Sequence, residues 1–258
     1  MSLQTSDLAA LASVPPPVRP VNRISGRLLD LVFPARCAGC GSVGELFCAA
    51  CRGQVQPVPQ PLCIRCGKPA AQTGRCPACR DATFQVAAIR AAAVYREPLS
   101  QIIHDFKYNG RRELGQPLGE LLAAYWRGRS VSVDVVIAVP LHEHRLKERG
   151  FNQSQLLAEA LCWMVSLPLL QPEVLRRQRD TQHQVHLAPA ERRANVSGAF
   201  EWIGPHLGGA RALLIDDVAT TGATLEACGE ALHAAGAGRV WALTVARSLG
   251  EQSGAQAG

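Results

Sequence analysis

The 258-residue sequence lacks three features that would place it in particular classes of protein. It contains no run of 18 apolar residues, so we expect no membrane span. Its first residues, MSLQTSDLAALASVPPPVRPVNR, have neither a basic start nor a continuous apolar core. We therefore predict a disordered tail over residues 1–22 rather than a secretory signal, and a cytoplasmic protein. No internal repeat occurs outside the cysteine pairs described next.

Cysteine, in contrast, is abundant: there are ten, of which eight lie between residues 37 and 79. They form four Cys-x-x-Cys pairs, which are Cys37/Cys40, Cys48/Cys51, Cys63/Cys66 and Cys76/Cys79. Because one tetrahedral zinc ion takes two such pairs, the spacing predicts two structural Zn²⁺ ions. A disulfide framework is the alternative, but it needs an oxidising compartment. Joining consecutive pairs closes the shortest loops at the least entropic cost, so we favour it over a cross-braced arrangement.

The rest of the composition is ordinary, with 47% hydrophobic and 19% charged residues, enough for one sizeable core and a small module. Cys162 and Cys228 stand alone in helix-like segments, where we expect small buried hydrophobes. The formal charge of +6 favours nucleic-acid binding, but eight thiolates and two zinc ions would bring it to about +2. Overall charge therefore says little about partners.

Beyond the cysteines, buried strands alternate with helices. The predicted strands are 84–95 (or an edge hairpin), 133–140, 210–218 and 238–247, and the predicted helices are 24–34, 98–108, 113–129, 152–165 and 224–235. Pro117 interrupts the helix at 113–129, which predicts two pieces. Continuous apolar runs rich in β-branched residues are typical of parallel strands, so we expect an α/β fold with helices flanking a parallel sheet. The predicted divisions are a zinc module over 23–82 and an α/β domain over 83–250.

The run LLIDDVATTGAT (213–224) ends a predicted strand in two carboxylates and continues with small and hydroxylated residues. In open α/β sheets, ligands lie beyond the carboxyl ends of the strands, and a following helix N-terminus favours a phosphate. Carboxylates accept hydrogen bonds from sugar hydroxyls, so the run predicts a phosphorylated-sugar site. Helix capping is the simpler alternative, but Asp216 and Asp217, three threonines and a glycine exceed what capping needs. The run matches neither the P-loop nor the Rossmann pattern.

The same run closely resembles the phosphoribosyl-pyrophosphate (PRPP) signature of type I phosphoribosyltransferases. VPLHEHRLKERGFNQSQLLA (139–158) and RRQRDTQHQVHLAPAERRANVSGAF (176–200) are similar to the ComF family, competence-associated proteins with a phosphoribosyltransferase domain behind a double zinc ribbon. The resemblance extends from about Leu28 to Arg247. It implies a type I phosphoribosyltransferase-like sheet flanked by helices, with a small N-terminal zinc-ribbon module.

The resemblance also implies roles for individual residues. Asp216 and Asp217, which we take as the catalytic pair, would contact the ribose hydroxyls, and Mg²⁺ would accompany the PRPP. Residues 176–193 would form a mobile flap, whose five arginines and two acidic residues suit an anionic ligand; a solvated charged face is the alternative. The residues assigned to PRPP are Pro140, Leu141 and Arg145 of a pyrophosphate loop, Arg177 and Arg179 of the flap, and Ala219, Thr220, Thr221, Gly222, Ala223 and Thr224 around the 5′-phosphate.

The family association implies a PRPP-binding protein in DNA uptake, natural competence or the handling of imported single-stranded DNA. A competence helicase or DNA-processing protein is the partner that this role implies. The alternatives are a nucleobase-salvage-type phosphoribosyltransferase and a non-catalytic zinc-ribbon adaptor or nucleic-acid-binding protein. The segment HDFKYNGRREL (104–114) places Lys107 and two arginines beside Phe106 and Tyr108. Basic residues combined with aromatic residues suit the binding of single-stranded DNA. Packing of both aromatic side chains into the core is the competing interpretation.

Overall fold

The computed structural model of this protein describes residues 12–15, 34–179 and 198–250. The helix predicted over 24–34 falls, except for Pro34, outside the described residues, as does most of the tail predicted over 1–22. Residues 180–197, the larger part of the predicted flap, also lie outside them. None of the helices in the described ranges combines the length and the apolar character needed to cross a membrane.

A six-stranded sheet forms the centre of the described chain. Its strands are β1 (Ala12–Ser13), β2 (Ala88–Val94), β3 (Val135–Ala138), β4 (Leu169–Leu170), β7 (Arg211–Ala219) and β8 (Arg239–Arg247), and a separate ribbon pairs β5 (Leu175–Arg177) with β6 (Phe200–Trp202). The strand order is β1-β4-β3-β7-β8-β2. All neighbours run parallel except β1, which is antiparallel to β4. The α/β fold class predicted from the sequence is confirmed, and the segment at 84–95 forms an edge strand rather than a hairpin.

Helices cover the sheet and connect its strands. They are α1 (Ala49–Gly53), α2 (Pro77–Arg80), α3 (Leu99–Tyr108), α4 (Gly115–Arg127), α5 (Glu143–Arg149), α6 (Gln153–Val165) and α7 (Ala223–Ala234), with short 3₁₀ turns at Arg112–Leu114 and Pro172–Val174. The expected break at Pro117 is wrong, because α4 runs through it without interruption. Pro117 lies in the first turn of α4, where a backbone N–H has no partner within the helix and its absence costs little.

The alternation of side chains along the strands divides the core into two layers. Leu213 and Ile215 of β7 pack with α3, α4 and α6 on one face of the sheet, whereas Ala212 and Leu214 pack with α7 on the other. Cys162 and Cys228 are fully buried, one in each layer, which confirms that both act as small hydrophobes. Burial accordingly raises the pKa of Cys162 to about 12. The parallel strands thus end together at one edge, and that edge carries the site.

Candidate functional site

A cleft of about 350 Å³ opens at the carboxyl edge of the sheet, where β2, β3, β7 and β8 end together. All but one of the residues that the sequence assigns to the sugar phosphate line this cleft. They are Pro140, Leu141, Arg145, Arg177, Asp216, Asp217, Ala219, Thr220, Thr221, Gly222, Ala223 and Thr224. The exception, Arg179, lies at the end of a described range, and Arg192 and Arg193 fall outside the described residues. Segments far apart in the chain therefore meet in one place.

Residues 219–224, the phosphate cup, connect β7 to α7. Gly222 is the N-cap residue of α7 and has a positive φ of 88°. A Cβ atom there would lie 2.6 Å from Ile89 Cδ1, so both the backbone conformation and the space require glycine. The Ala223 N–H donates to Thr221 Oγ1 over 3.3 Å. Since Gly222 has no side chain with which to cap the helix, the N-terminal end of α7 suits an anion at the cleft.

Asp216 and Asp217, the acid pair, are held by partners from two helices. Asp216 Oδ1 accepts a hydrogen bond from Ser154 Oγ (2.9 Å), and Asn152 caps α6 by accepting from the Ser154 N–H (3.0 Å). Asp217 Oδ1 lies 2.7 Å from Lys107 Nζ. Burial, and after it the charge of Asp217, raises the pKa of Asp216 to about 7. Asp216 therefore takes up a proton more readily than an ordinary aspartate, and a cation bound beside it would oppose that.

Lys107 and Ser154 are residues of this site whose place the sequence did not predict. For the segment 104–114, the sequence allowed either single-stranded DNA binding or packing of both aromatic side chains into the core. Phe106 is fully buried in the core, whereas Tyr108 is exposed. Lys107 turns into the cleft, where burial lowers its pKa but Asp217 more than reverses the effect and raises it. A sequence signal existed: Lys107 follows the buried Ile103 by four residues, and a lysine on the buried face of a helix needs an anionic partner.

Arginines from α5 and β5, which we call the cationic wall, give part of the cleft lining a positive charge. Arg145 and Arg149 come from α5, and Arg177 comes from the end of β5. The Arg149 guanidinium lies 4.9 Å from the centre of the Tyr108 ring, and that of Arg177 lies 5.6 Å from the Phe200 ring. Aromatic surfaces of this kind hold guanidinium groups through cation–π contacts. The cleft thus combines a phosphate cup, two carboxylates and a cationic wall, which together suit a sugar carrying several phosphates.

The eight cysteines of the four pairs form two separate clusters. The first cysteine site contains Cys37, Cys40, Cys48 and Cys51, and the second cysteine site contains Cys63, Cys66, Cys76 and Cys79. Within each site, the four sulfur atoms lie within 4.8 Å of one another. The favoured sequential pairing is therefore observed, and the described cysteines are free thiols rather than disulfides.

The sulfur geometry fits zinc. Sulfurs bound to one tetrahedral zinc at about 2.3 Å are separated by about 3.8 Å. The Sγ–Sγ distance is 3.6 Å for Cys40 and Cys48, and 3.8 Å for Cys66 and Cys76. In each site a backbone N–H also points at a sulfur, from Cys48 to Cys37 in the first and from Cys76 to Cys63 in the second. These N–H groups stabilise thiolates, the form of cysteine that binds metal.

A mostly parallel α/β sheet with this cleft at its carboxyl edge, together with two sites of four cysteines each, defines a class: α/β proteins with an N-terminal double zinc ribbon. The double zinc ribbon domain family matches residues 28–80. The DNA utilization protein YhgH of Salmonella typhimurium is 31% identical over 194 residues, which cover 73% of this chain and 85% of that protein. Competence protein ComFC of Bacillus subtilis is 26% identical over 79% of this chain and 85% of its own length. The chain belongs to the ComF family.

A solved structure of Leishmania donovani UMP synthase is also similar to part of the chain. The identity is 18% over 57% of this chain, and the TM-score is 0.31. This chain spans 23% of the length of that protein.

Proposed function

We propose that this protein binds PRPP together with Mg²⁺ in the cleft, and that it uses this site in DNA uptake or in the handling of imported single-stranded DNA. The observation that carries the first part is the meeting of the acid pair, the phosphate cup and the cationic wall in one cleft. The second part is supported by the names of two relatives, a DNA utilization protein and a competence protein. A helicase or another DNA-processing protein is the class of partner that such a role requires.

Different residues of the cleft would bind different parts of PRPP. Backbone N–H groups and hydroxyls of the phosphate cup would hold the 5′-phosphate, and the acid pair would accept hydrogen bonds from the ribose hydroxyls. Arg145 and Arg177 would neutralise the pyrophosphate. Bound Mg²⁺ would supply charge stabilisation of the leaving pyrophosphate. Lys107 would hold the Asp217 side chain in position beside the ribose through their ion pair.

Transfer from PRPP leaves positive charge on the ribose carbon that loses pyrophosphate. The acid pair is the anionic group placed to stabilise that charge through the ribose, and its position is fixed in advance by Ser154 and Lys107. Fixed charge and positioning of this kind supply most of the acceleration in reactions without a strong catalytic base. We therefore assign Asp216 and Asp217 the catalytic role and Ser154 a positioning role.

Calorimetric titration of the full chain with PRPP and Mg²⁺ tests the site. We expect binding, and we expect the double variant Asp216→Asn/Asp217→Asn to weaken it by about tenfold or more, since each charge-assisted hydrogen bond contributes roughly 1.5–3 kcal/mol. Asp81→Asn, an exposed aspartate outside the cleft, is the matched control and should leave the affinity unchanged. A folded double variant with the affinity of the unchanged protein would remove the assignment.

Two further measurements separate an enzyme from a DNA-binding protein that uses the same cleft. Release of pyrophosphate from PRPP that depends on an added acceptor, to which the ribosyl group is transferred, identifies a transferase. Single-stranded DNA binding over a salt series identifies the second function, with a slope that falls by roughly 0.7 for each phosphate contact removed. Arg177→Ala with Arg179→Ala should weaken PRPP binding if these arginines clamp the ligand, and should instead reduce the DNA salt slope if they contact the strand. Loss of neither property would leave these two arginines as a solvated charged face.

A further inference from the structure

Arg247, the last residue of β8, is a buried cation. Its side chain is 1% exposed, and its Nε, Nη1 and Nη2 atoms are all buried with no hydrogen-bond partner among the described residues. Within the described ranges, no carboxylate forms an ion pair with it. Taking a guanidinium out of water is strongly unfavourable unless an opposite charge compensates, and an arginine does not escape the cost by losing its proton. A compensating anion must therefore lie close by.

The surroundings of Arg247 contain one concentrated source of negative charge. Arg247 lines a cavity of about 630 Å³ together with Cys66, Cys76 and Cys79, three of the four ligands of the second cysteine site. Burial lowers the pKa of Arg247, and the cysteine thiolates of this site act against that effect. Two glutamates line the same cavity. The Glu226 Oε2 atom already accepts from the backbone N–H groups of residues 85 and 86, at 2.6 and 3.2 Å, and Glu230 is exposed to solvent.

The second cysteine site is also connected to the phosphate cup through Ile89. Gly67, next to Cys66, lies so close to β2 that a Cβ atom there would be 2.2 Å from the Ile89 carbonyl oxygen. On the other side, Ile89 Cδ1 lies against Gly222 of the phosphate cup. The backbone of Arg247 accepts from the Tyr95 N–H and lies in register with Ala219, where the cup begins. The metal site, the end of β8 and the cup are therefore contiguous.

We infer that the second cysteine site, when loaded with zinc, is the counter-charge that holds the Arg247 guanidinium inside the protein, and that zinc there supports the end of the sheet that carries the phosphate cup. Four thiolates around one Zn²⁺ have a net charge of −2, which suits a neighbouring guanidinium. Loss of the zinc ion changes the charge of the site and leaves its four cysteine side chains less firmly positioned. The metal and the end of β8 therefore stabilise each other. This inference rests on zinc loading of the site and is independent of PRPP.

The test compares metal affinity at the two sites in the full chain. The protein loaded with ¹¹³Cd²⁺ should give separate NMR signals for the two sites, assigned with Cys40→Ser and Cys66→Ser. A competing chelator is then titrated against the unchanged protein and against Arg247→Met, which keeps the length of the side chain and removes its charge. We expect the second site of Arg247→Met to bind metal about tenfold more weakly, or worse, because the buried charge pair is broken. The metal affinity of the first cysteine site should be the same in Arg247→Met as in the unchanged protein.

Arg52→Met is the matched control, since Arg52 adjoins the first cysteine site but is already paired with Glu120. Chelator titrations of the second site that superimpose for Arg247→Met and the unchanged protein would overturn the inference, as would an equal loss at both sites. If Arg247→Met does not fold, Arg247→Lys should retain more affinity at the second site than Arg247→Gln. Equal affinity of these two variants would likewise overturn it.

Hydrogen exchange gives a second measurement that needs no substitution. Removal of metal from the second site should speed exchange of the Tyr95 and Ser248 amides, whose acceptors are the Arg247 and Ala219 carbonyl oxygens. Unchanged exchange at both amides would contradict the support assigned to zinc. Neither measurement uses PRPP, so absence of PRPP binding would leave this inference intact, and failure here would leave the function proposed for the cleft untouched.

Discussion

The two cysteine sites have the same ligands but are attached to the sheet in different ways. In the first, Cys37 and Cys51 belong to the large hydrophobic layer beneath α3, α4 and α6, together with the fully buried Phe47. The second instead lies on the edge strand β2 and is joined to it by hydrogen bonds. There the Ile89 N–H donates to the Arg65 carbonyl oxygen over 2.7 Å, and Arg65 Nη1 donates to a β2-adjacent carbonyl over 2.8 Å.

The difference shows that two metal sites with the same four-cysteine ligand set can have different structural roles. We call residues 37–53, which hold the first cysteine site, the first ribbon, and residues 63–80, which hold the second cysteine site, the second ribbon. The first ribbon continues the apolar core, so its contribution to stability comes mainly from buried surface. The second ribbon covers the exposed edge of β2, where unpaired N–H and C=O groups would otherwise face solvent. It also places a charged metal site beside the phosphate cup. Substitutions matched between the two ribbons can therefore separate apolar packing from hydrogen bonding and charge.

The largest difference should come from aromatic truncation. Phe47→Ala removes a fully buried ring from the first ribbon and should lower the free energy of unfolding by about 3–5 kcal/mol. Phe84→Ala, beside the second ribbon, removes a partly exposed ring that stacks on Arg65 and should cost about 1 kcal/mol. Urea denaturation of the zinc-loaded variants measures both. Equal losses would show that the two ribbons depend equally on apolar burial.

A pair of glycines offers a finer comparison, because each follows the second cysteine of a pair. Gly41 and Gly67 both have positive φ angles, of 76° and 67°. A Cβ atom on Gly41 would meet nothing within 4 Å, whereas one on Gly67 would collide with the Ile89 carbonyl oxygen. Gly41→Ala should therefore cost only the backbone term of about 1–2 kcal/mol, and Gly67→Ala a further 1–3 kcal/mol or so from the contact.

Thermal denaturation of the two alanine variants at equal zinc loading measures this difference. A matching loss of stability in both would mean that the second ribbon can move away from β2 without cost. In that case the hydrogen bonds between the ribbon and the edge strand would not hold it in place, and the contrast between the two ribbons would be lost.

What the sequence could predict of these regions was local. Three features could be recognised from only a few consecutive residues each. They are the cysteine pairs, the acid pair at the end of β7 and the glycine of the phosphate cup. Long apolar runs likewise predicted β7 and β8, because burial on both faces leaves a continuous signal. β1 and β4 have two residues each, too few for any periodicity to predict them. The domain boundary between residues 82 and 83 stays a prediction.

The contacts that the sequence could not predict join residues far apart in the chain. Lys107 and Asp217 are separated by 110 positions, and the local sequence around neither residue predicts their ion pair. Arg247 ends an apolar strand, a position at which arginine is ordinarily exposed; only the folded chain encloses it beside the second cysteine site. The break expected at Pro117 was wrong because of the helix start. The predicted helix began at residue 113, which put Pro117 beyond the first turn, whereas α4 begins at Gly115 and has Pro117 in its first turn, where proline is tolerated.

The smallest effect should come from the ion pair between the first ribbon and α4. Arg52 Nη2 lies 2.9 Å from Glu120 Oε2, but the two side chains are 35% and 40% exposed. Solvent and salt screen such a pair, so Glu120→Gln should lower the free energy of unfolding by less than about 1 kcal/mol, and by less still at high salt. Urea denaturation at low and high ionic strength measures it. A larger, salt-insensitive loss would mean that the first ribbon, like the second, depends on charge, because Arg52 would then behave as the buried Arg247 is expected to.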